Sequence, residues 1–338
     1  IYPPKPIIDI FHISSKNMNP KLTVLIPMYN EQENVVSTLK KVSDVLYSMN
    51  VDYELIIVND GSTDNTLEIL KKEAEKYKKL RIVTYEKNRN LGGALKVGFE
   101  KAKGDYIITI DSDLSYEAYH IVNLYNEAEK SNYDIIQGSP YMKGGNSLGV
   151  PKLRLLISKA SNRFFSYVIG ANIHTVTGML RCYKKEVIDS LVLESNGPEI
   201  MFEILSKSVL LGFKIKEIPA TLKGREKGRS KFQNQLKKVF SEYFSLLYSE
   251  KPIVFFKMLG IFLIILALIY SGIKISWYAL GRVSLSEPVI TNPVVILVLL
   301  GFLIFFFAIL INQFTQLQKN LLIIQKQNKE LQIKLKEK

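Results

Sequence analysis

The chain has 338 residues, one cysteine, three histidines and a formal net charge of +13 at pH 7. Its length allows one large domain with appendages, and the lone Cys182 excludes an intrachain disulfide. The basic charge comes with two long apolar segments and without zinc-finger spacing or an aromatic RNA-binding consensus, which excludes nucleic acid as the expected partner and favours an anionic bilayer.

Residues 1–20 contain proline and asparagine rather than a cleavable apolar core, and form an N-terminal extension with no signal peptide expected. Leu22 to Ile26 is a strand ending at Pro27, with a helix soon after through Val35, Val36 and Leu39. Tyr53 to Val58 is a second strand, followed by a turn at Asp60-Gly61 and an N-cap at Ser62 or Thr63. Leu80 to Tyr85 is a third, leading to Asn90-Leu-Gly-Gly-Ala94. There Gly92 and Gly93 allow close backbone approach to a ligand before a helix. Gly104 introduces the apolar run Asp105 to Ile110, a buried strand that delivers Asp111-Ser112-Asp113. Strands alternating with helical patterns over about ninety residues predict an α/β fold: a mostly parallel sheet wound by helices, with polar loops at the strand C-termini. Two carboxylates at such an end can both reach one divalent cation, which would be shared with phosphate oxygens.

A further strand from Asp134 leads to Gln137-Gly-Ser-Pro-Tyr141, and Gly149 to Asn162 predicts a basic helix carrying Arg154 and Ser158 on one face. Thr175-Val-Thr-Gly-Met-Leu-Arg181 follows. Glu199 and Glu203 share a helix face, where one of them can orient an acceptor or bind Arg181. Glu217 to Phe232 gives a strand and a basic, glycine-containing loop.

Ile253 to Ile273 is apolar except for Lys257, and Val289 to Ile311 carries no charge; each can cross a hydrocarbon core of about 30 Å. Lysine-rich flanks on both sides predict a hairpin with both termini cytoplasmic. In the tail, Phe314, Leu317, Leu321, Ile324, Asn328, Leu331 and Leu335 follow alternating steps of three and four. That seam predicts a parallel coiled coil and hence a homo-oligomer, or else an amphipathic helix on the inner leaflet.

The motifs Ile26-Pro-Met-Tyr-Asn-Glu31, Val58-Asn-Asp-Gly-Ser-Thr-Asp64, Asn90-Leu-Gly-Gly-Ala94 and Asp111-Ser-Asp-Leu-Ser115 occur in this order. Through them, residues 21 to 232 resemble the family 2 inverting glycosyltransferases of the GT-A fold, and within these the dolichyl- and polyprenyl-phosphate sugar synthases. The resemblance implies that Pro27, Tyr29, Glu31 and Asp60 hold the base and ribose, with Gly92, Gly93 and Ser112 also on the nucleotide-sugar side. It implies that Asp111 and Asp113 meet the diphosphate through Mg2+ or Mn2+, and that Arg154 and Ser158 bind the lipid phosphate. Many members have an arginine where this chain has Pro140, so one acceptor contact is missing or is supplied by Lys143 or Lys152. The basic loop matches at Arg225, Gly228, Ser230 and Lys231, with Phe232 in place of leucine. Arg225 and Lys231 would then close over the diphosphate and neutralise the leaving nucleotide.

The expected organisation is an extension (1–20), a GT-A catalytic domain (21–232), an amphipathic interface helix (233–252), a transmembrane hairpin (253–311) and a cytoplasmic helix (312–338). The expected activity is transfer of a hexose from a nucleotide sugar to dolichyl or polyprenyl phosphate, whose ionised oxygen needs no strong base. Two alternatives are a family 2 transferase extending a lipid-linked or other glycan, with Glu199 or Glu203 as base, and a non-catalytic membrane scaffold.

Overall fold

The computed structural model describes residues 8–11, 20–224, 252–280 and 292–336. They divide into two units, one of Ile1–Gln233 with Leu322–Lys338 and one of Asn234–Leu321. In the first, strands β1 (Ile8–Phe11), β2 (Leu22–Met28), β3 (Tyr53–Asp60), β4 (Leu80–Tyr85), β5 (Tyr106–Thr109), β6 (Ile135–Ser139), β8 (Arg181–Lys184) and β9 (Ile215–Pro219) form one sheet, in the order β1-β4-β3-β2-β5-β8-β6-β9. The helices between them are α1 (Val35–Ser48), α2 (Thr66–Ala74), α3 (Asn90–Lys101), α4 (His120–Lys130), α5 (Lys152–Ile169), α6 (Lys185–Ser190) and α7 (Ile200–Leu210).

The central strands explain the order. Leu22 to Ile26 and Leu55 to Val58 are buried on both faces, as strands covered by helices on each side must be. Helix α1 buries Val35, Thr38, Leu39, Val42 and Leu46, a stripe at helical spacing that faces the sheet. Strand β1 pairs antiparallel with β4, so residues 8–11 extend the sheet rather than lying outside the domain as an N-terminal extension.

Strands β4, β3, β2 and β5 are mutually parallel and therefore end at one edge. The register pairs Leu25 with Thr109, which brings Pro27 level with Asp111 two residues on. Strand β8 is antiparallel to β5 and β6, so it begins at the edge where they end. That reversal carries Thr175–Leu180 to the same edge. A second, two-stranded sheet joins β7 (Asn146–Leu148) to β10 (Thr221–Lys223) in parallel.

The second unit contains α8 (Pro252–Ala279) and the first part of α9 (Asn292–Lys336). Among the described residues, one helix is long and apolar enough to cross a membrane, Val254–Ala279; the apolar stretch Val294–Ala308 is shorter. One span of the expected two is therefore present by length and composition. The two helices meet where Gly260 faces Gly301: a Cβ on Gly260 would lie 2.8 Å from the Gly301 carbonyl oxygen. Small residues allow this closeness between apolar helices, and Phe256 adds an edge-to-face contact with Phe307. Helix α9 is unbroken from Asn292 to Lys336, so the second apolar stretch and the heptad seam share one helix. The interface helix expected at 233–252 lies outside the described residues, save for its last residue.

Candidate active site

At the C-terminal edge of β2 the chain turns through Tyr29 and Asn30, the latter at φ +54°. Asparagine tolerates that left-handed conformation better than most residues. The Asn30 Oδ1 accepts the Thr63 N–H at 2.8 Å, while the Asn30 N–H donates to the Ser62 hydroxyl at 3.0 Å. Ser62 and Thr63 therefore bind the β2 loop and do not cap α2 as expected. That helix starts at Thr66, whose N–H donates to Asp64 Oδ1 at 3.0 Å. The Thr66 hydroxyl in turn receives the Glu31 N–H at 2.9 Å.

Asp60, at the end of β3, is 3% exposed. Its Oδ1 accepts the Tyr85 hydroxyl and the Arg89 N–H, both at 2.7 Å, and its Oδ2 accepts Asn88 Nδ2 at 3.0 Å. Burial pushes the carboxyl above its ordinary range, against the pull of these donors. Asp60 thus organises the loop that leads into α3. Arg89 stacks over the Tyr85 ring at 4.5 Å.

Gly92 and Gly93 open α3, as expected, but the backbone they approach is this chain's own. A Cβ on Gly92 would stand 2.5 Å from the Ser195 carbonyl oxygen. The Gly92 and Gly93 N–H groups donate to the Asn196 carbonyl at 2.7 and 3.2 Å. Lys96 completes the link through the Glu194 carbonyl at 2.9 Å and Asn196 Oδ1 at 2.8 Å. Glu203 holds the other side of that segment: it accepts the Glu194 and Ser195 N–H groups and pairs with Lys207 at 2.7 Å. It is 2% exposed, and its expected acceptor-side role gives way to this structural one. Glu199 Oε1 accepts the Gly197 N–H at 2.8 Å, and its Oε2 is buried with no hydrogen-bond partner among the described residues.

Asp111 and Asp113 lie just past β5, both half-buried. Leu114, at φ +49°, turns the chain so that Asp113 Oδ1 accepts the Ser115 N–H at 2.9 Å. The Ser112 carbonyl accepts the Thr38 hydroxyl at 2.5 Å, anchoring the loop to α1. Tyr116, the residue after Ser115, is buried. Burial, then the Asp111 charge, raises its phenol above the ordinary range. No cluster of three His, Cys, Asp or Glu side chains occurs among the described residues. A pair of carboxylates fits a hard divalent ion that takes its remaining ligands from substrate phosphate and water.

Strand β10 is tied to the same edge. The Lys223 N–H donates to the Ser115 carbonyl at 2.7 Å and its ammonium pairs with Glu117 at 2.7 Å, which fixes β10 beside the Asp111–Ser115 loop. The Gly224 N–H donates to the Leu148 carbonyl at 2.7 Å, with Gly149 at φ +69° backing against it. Arg225 and Lys231, expected next in the chain, lie outside the described residues. Beyond Gly149, α5 carries Arg154 and Ser158 one turn apart, as expected. Exposed Leu153, Leu156 and Ile157 flank them, Leu153 being 70% accessible. Buried Arg181 donates to the Met201 carbonyl at 2.8 Å and to the Val176 carbonyl, holding the Thr175–Gly178 segment. Sequence reasoning missed Asn162, Tyr141 and Glu217, which join segments that the sequence pattern does not pair. Glu217 accepts the His174 and Thr175 N–H groups at 2.7 and 2.8 Å.

A helix-wound sheet that gathers carboxylate-bearing loops at its C-terminal edge is the arrangement in which an α/β fold takes up phosphorylated ligands. Residues 23–192 match the Glycosyl transferase family 2 model. The chain belongs to that family, with a GT-A-like fold. It is 33% identical over 231 residues to the dolichol-phosphate mannosyltransferase of Pyrococcus furiosus, covering 68% of this chain and 63% of that relative. The match thus spans less than two thirds of the relative's length. Among solved structures, the glucosyl-3-phosphoglycerate synthase of Mycobacterium tuberculosis in complex with Mn2+, UDP and phosphoglyceric acid superposes with a TM-score of 0.54. It shares 17% identity over 69% of this chain and 79% of that one. The same enzyme with Mn2+, UDP-glucose and phosphoglyceric acid gives a TM-score of 0.53 at 14% identity, over 68% and 79%. These likenesses show the fold.

Proposed function

We propose that this protein is a membrane-bound inverting glycosyltransferase that moves a hexose from a nucleotide sugar to dolichyl or polyprenyl phosphate. The observation that carries the reading is α5. Arg154 and Ser158 sit on a helix whose exposed side bears Leu153, Leu156 and Ile157, so a phosphate and an apolar chain find matching surfaces side by side. The Pyrococcus furiosus relative, a dolichol-phosphate mannosyltransferase, supports the same acceptor class.

Pro27, Tyr29, Glu31 and Asp60 would take the base and ribose, with Gly92, Gly93 and Ser112 shaping the donor pocket. Asp111 and Asp113 would hold Mg2+ or Mn2+, which supplies charge stabilisation for the departing nucleoside diphosphate. Arg154 orients the acceptor phosphate. Its ionised oxygen forms a bond to the anomeric carbon from the face opposite the nucleotide. The bond to the diphosphate breaks, and its electron pair leaves with the nucleotide. Arg225 and Lys231 would meet that developing charge from the loop after β10. No group on the protein needs to take a proton, because the attacking oxygen carries none. A glycan-extending reading would instead need a base, for which Glu199 has one unpartnered oxygen.

One helix long enough to span and a second, shorter apolar stretch, with lysine-rich flanks on both sides, support a hairpin topology with both termini in the cytoplasm. Leu317, Leu321, Ile324 and Leu331 form an exposed stripe along α9, which supports self-association of the tails. The test uses membranes containing the full chain, polyprenyl phosphate and single radiolabelled nucleotide sugars, among them GDP-mannose and UDP-glucose. The expected result is organic-phase label that requires Mg2+ or Mn2+ and is released by mild acid. Absence of organic-phase label from every donor refutes the reading.

A further inference from the structure

Ser158 does not stand alone on α5. Its hydroxyl lies 2.8 Å from the Tyr141 hydroxyl and 3.4 Å from Asn162 Nδ2. Asn162 is 1% exposed, and its orientation is fixed by what surrounds it. The Val176 and Thr177 N–H groups, which can only donate, lie 2.6 and 3.0 Å from Oδ1. Oδ1 must therefore face them, and Nδ2 must face Ser158. Nδ2 can only donate. It gives one hydrogen to the Ser158 carbonyl at 2.8 Å and points toward Ser158 Oγ. A serine oxygen has two lone pairs and one proton. If Tyr141 donates to the second lone pair, the serine proton is left for a third partner.

Tyr141 reaches this position from the donor side. It follows β6, at the sheet edge that presents Asp111, and the Tyr116 phenol feels both the Asp111 charge and the Tyr141 hydroxyl. Asn162 in turn ties α5 to the Thr175–Thr177 segment, which Ser139 also holds through a 2.7 Å bond between hydroxyls.

We propose that Tyr141 and Asn162 are positioning residues that take up both lone pairs of Ser158 and so leave its proton for an anionic oxygen of the lipid phosphate. The proposal rests on the reading of Arg154 and Ser158 as the acceptor-phosphate site. It makes Ser158 a committed hydrogen-bond donor rather than a hydroxyl that rotates freely. It also gives Tyr141, whose ring touches no substrate on this reading, a defined effect on acceptor affinity.

The test is equilibrium binding of farnesyl phosphate, a short polyprenyl phosphate, to the full chain in nanodiscs. The variants are Ser158→Ala, Tyr141→Phe, the double variant and Asn162→Asp. Tyr141→Phe removes only a hydroxyl and should weaken binding about three- to tenfold, the range of one neutral hydrogen bond. Ser158→Ala should weaken it at least as much. The double variant should bind like Ser158→Ala alone, because Tyr141 acts through the serine. Asn162→Asp keeps an oxygen for Val176 and Thr177 but loses the donor to the Ser158 carbonyl and draws the serine proton inward; it should weaken binding about tenfold or more, and lower the melting temperature because it buries a charge against that carbonyl. Multiplied effects in the double variant, or wild-type binding by Tyr141→Phe while Ser158→Ala is impaired, would overturn the proposal. Wild-type binding by both Ser158→Ala and Arg154→Ala would instead remove the acceptor-site reading beneath it.

Discussion

Asp113→Asn separates charge from shape at the proposed metal site. The amide retains an oxygen for the Ser115 N–H, the 2.9 Å bond that forms the turn after β5. Leu114 keeps its left-handed φ of +49°, and the Ser112 carbonyl keeps the Thr38 hydroxyl. Only the negative charge is lost. Two unit charges about 4 Å apart interact by about 4 kcal/mol at an effective dielectric constant of about 20. Half-burial at a pocket edge reduces that to about 2–3 kcal/mol, which corresponds to a loss of turnover of roughly a hundredfold. That agrees with the hundred- to thousandfold cost, in order of magnitude, of removing one preorganised electrostatic stabiliser. The assay is initial-rate turnover of lipid-linked sugar across a Mn2+ titration, with circular dichroism and melting to confirm the fold. A folded Asp113→Asn protein with turnover within about threefold of the parent would refute the assignment of Asp113 to the metal.

Arg154→Ala should raise the KM for polyprenyl phosphate about tenfold or more while leaving that for the nucleotide sugar within about twofold, since a charge-assisted contact to one substrate is lost; equal shifts in both would count against the acceptor role. Burial raises the Glu203 carboxyl, but the Lys207 hydrogen bond and charge and the two backbone donors outweigh it, so its pKa lies below the ordinary 4.5. Its contribution to stability is therefore complete above pH 4.5 and is lost as pH falls through the folded-state value. Glu203→Gln should lower the melting temperature at pH 7, and the gap to the parent should close in acid; a gap that is constant with pH would contradict the pairing. Leu331→Cys, at an exposed position on α9, should crosslink between subunits under mild oxidation. Native Cys182 can stay, because it is buried and its thiol is pushed up by burial. Monomeric, uncrosslinked protein would favour a helix on the membrane surface instead.

The strand ends that make the site were legible because their causes are local. A β-branched run that leads into Asp60-Gly61 or Asp111 carries its boundary within a few residues, whereas β2 runs through Pro27, its expected end, to Met28. The closing of Ser195–Asn196 over Gly92 was not legible, since the partners are about a hundred positions apart and the glycine signal alone fits a ligand equally well. The cap of α2 was misplaced for the same reason: Ser62 and Thr63 are good capping residues, but Asn30, more than thirty positions earlier, takes them. Glu203 looked like half of a carboxylate pair on a helix face. Its burial with Lys207 on the same helix gave it other work. That Arg154 and Ser158 lie one turn apart on a helix was legible locally, while their acceptor role came from the family resemblance alone.

The start of α3 has a consequence for how the donor is held. A helix N-terminus usually offers a ligand four unsatisfied N–H groups and a partial positive charge. Here Asn90 donates to Asn88 Oδ1 at 3.1 Å, and Gly92 and Gly93 donate to Asn196. Three of the four groups are thus committed within the chain, and the helix has little left with which to attract an anion. A diphosphate at this sheet edge would have to be neutralised by mobile cations and side chains instead. On the proposed function, donor affinity would then follow the free divalent-ion concentration closely.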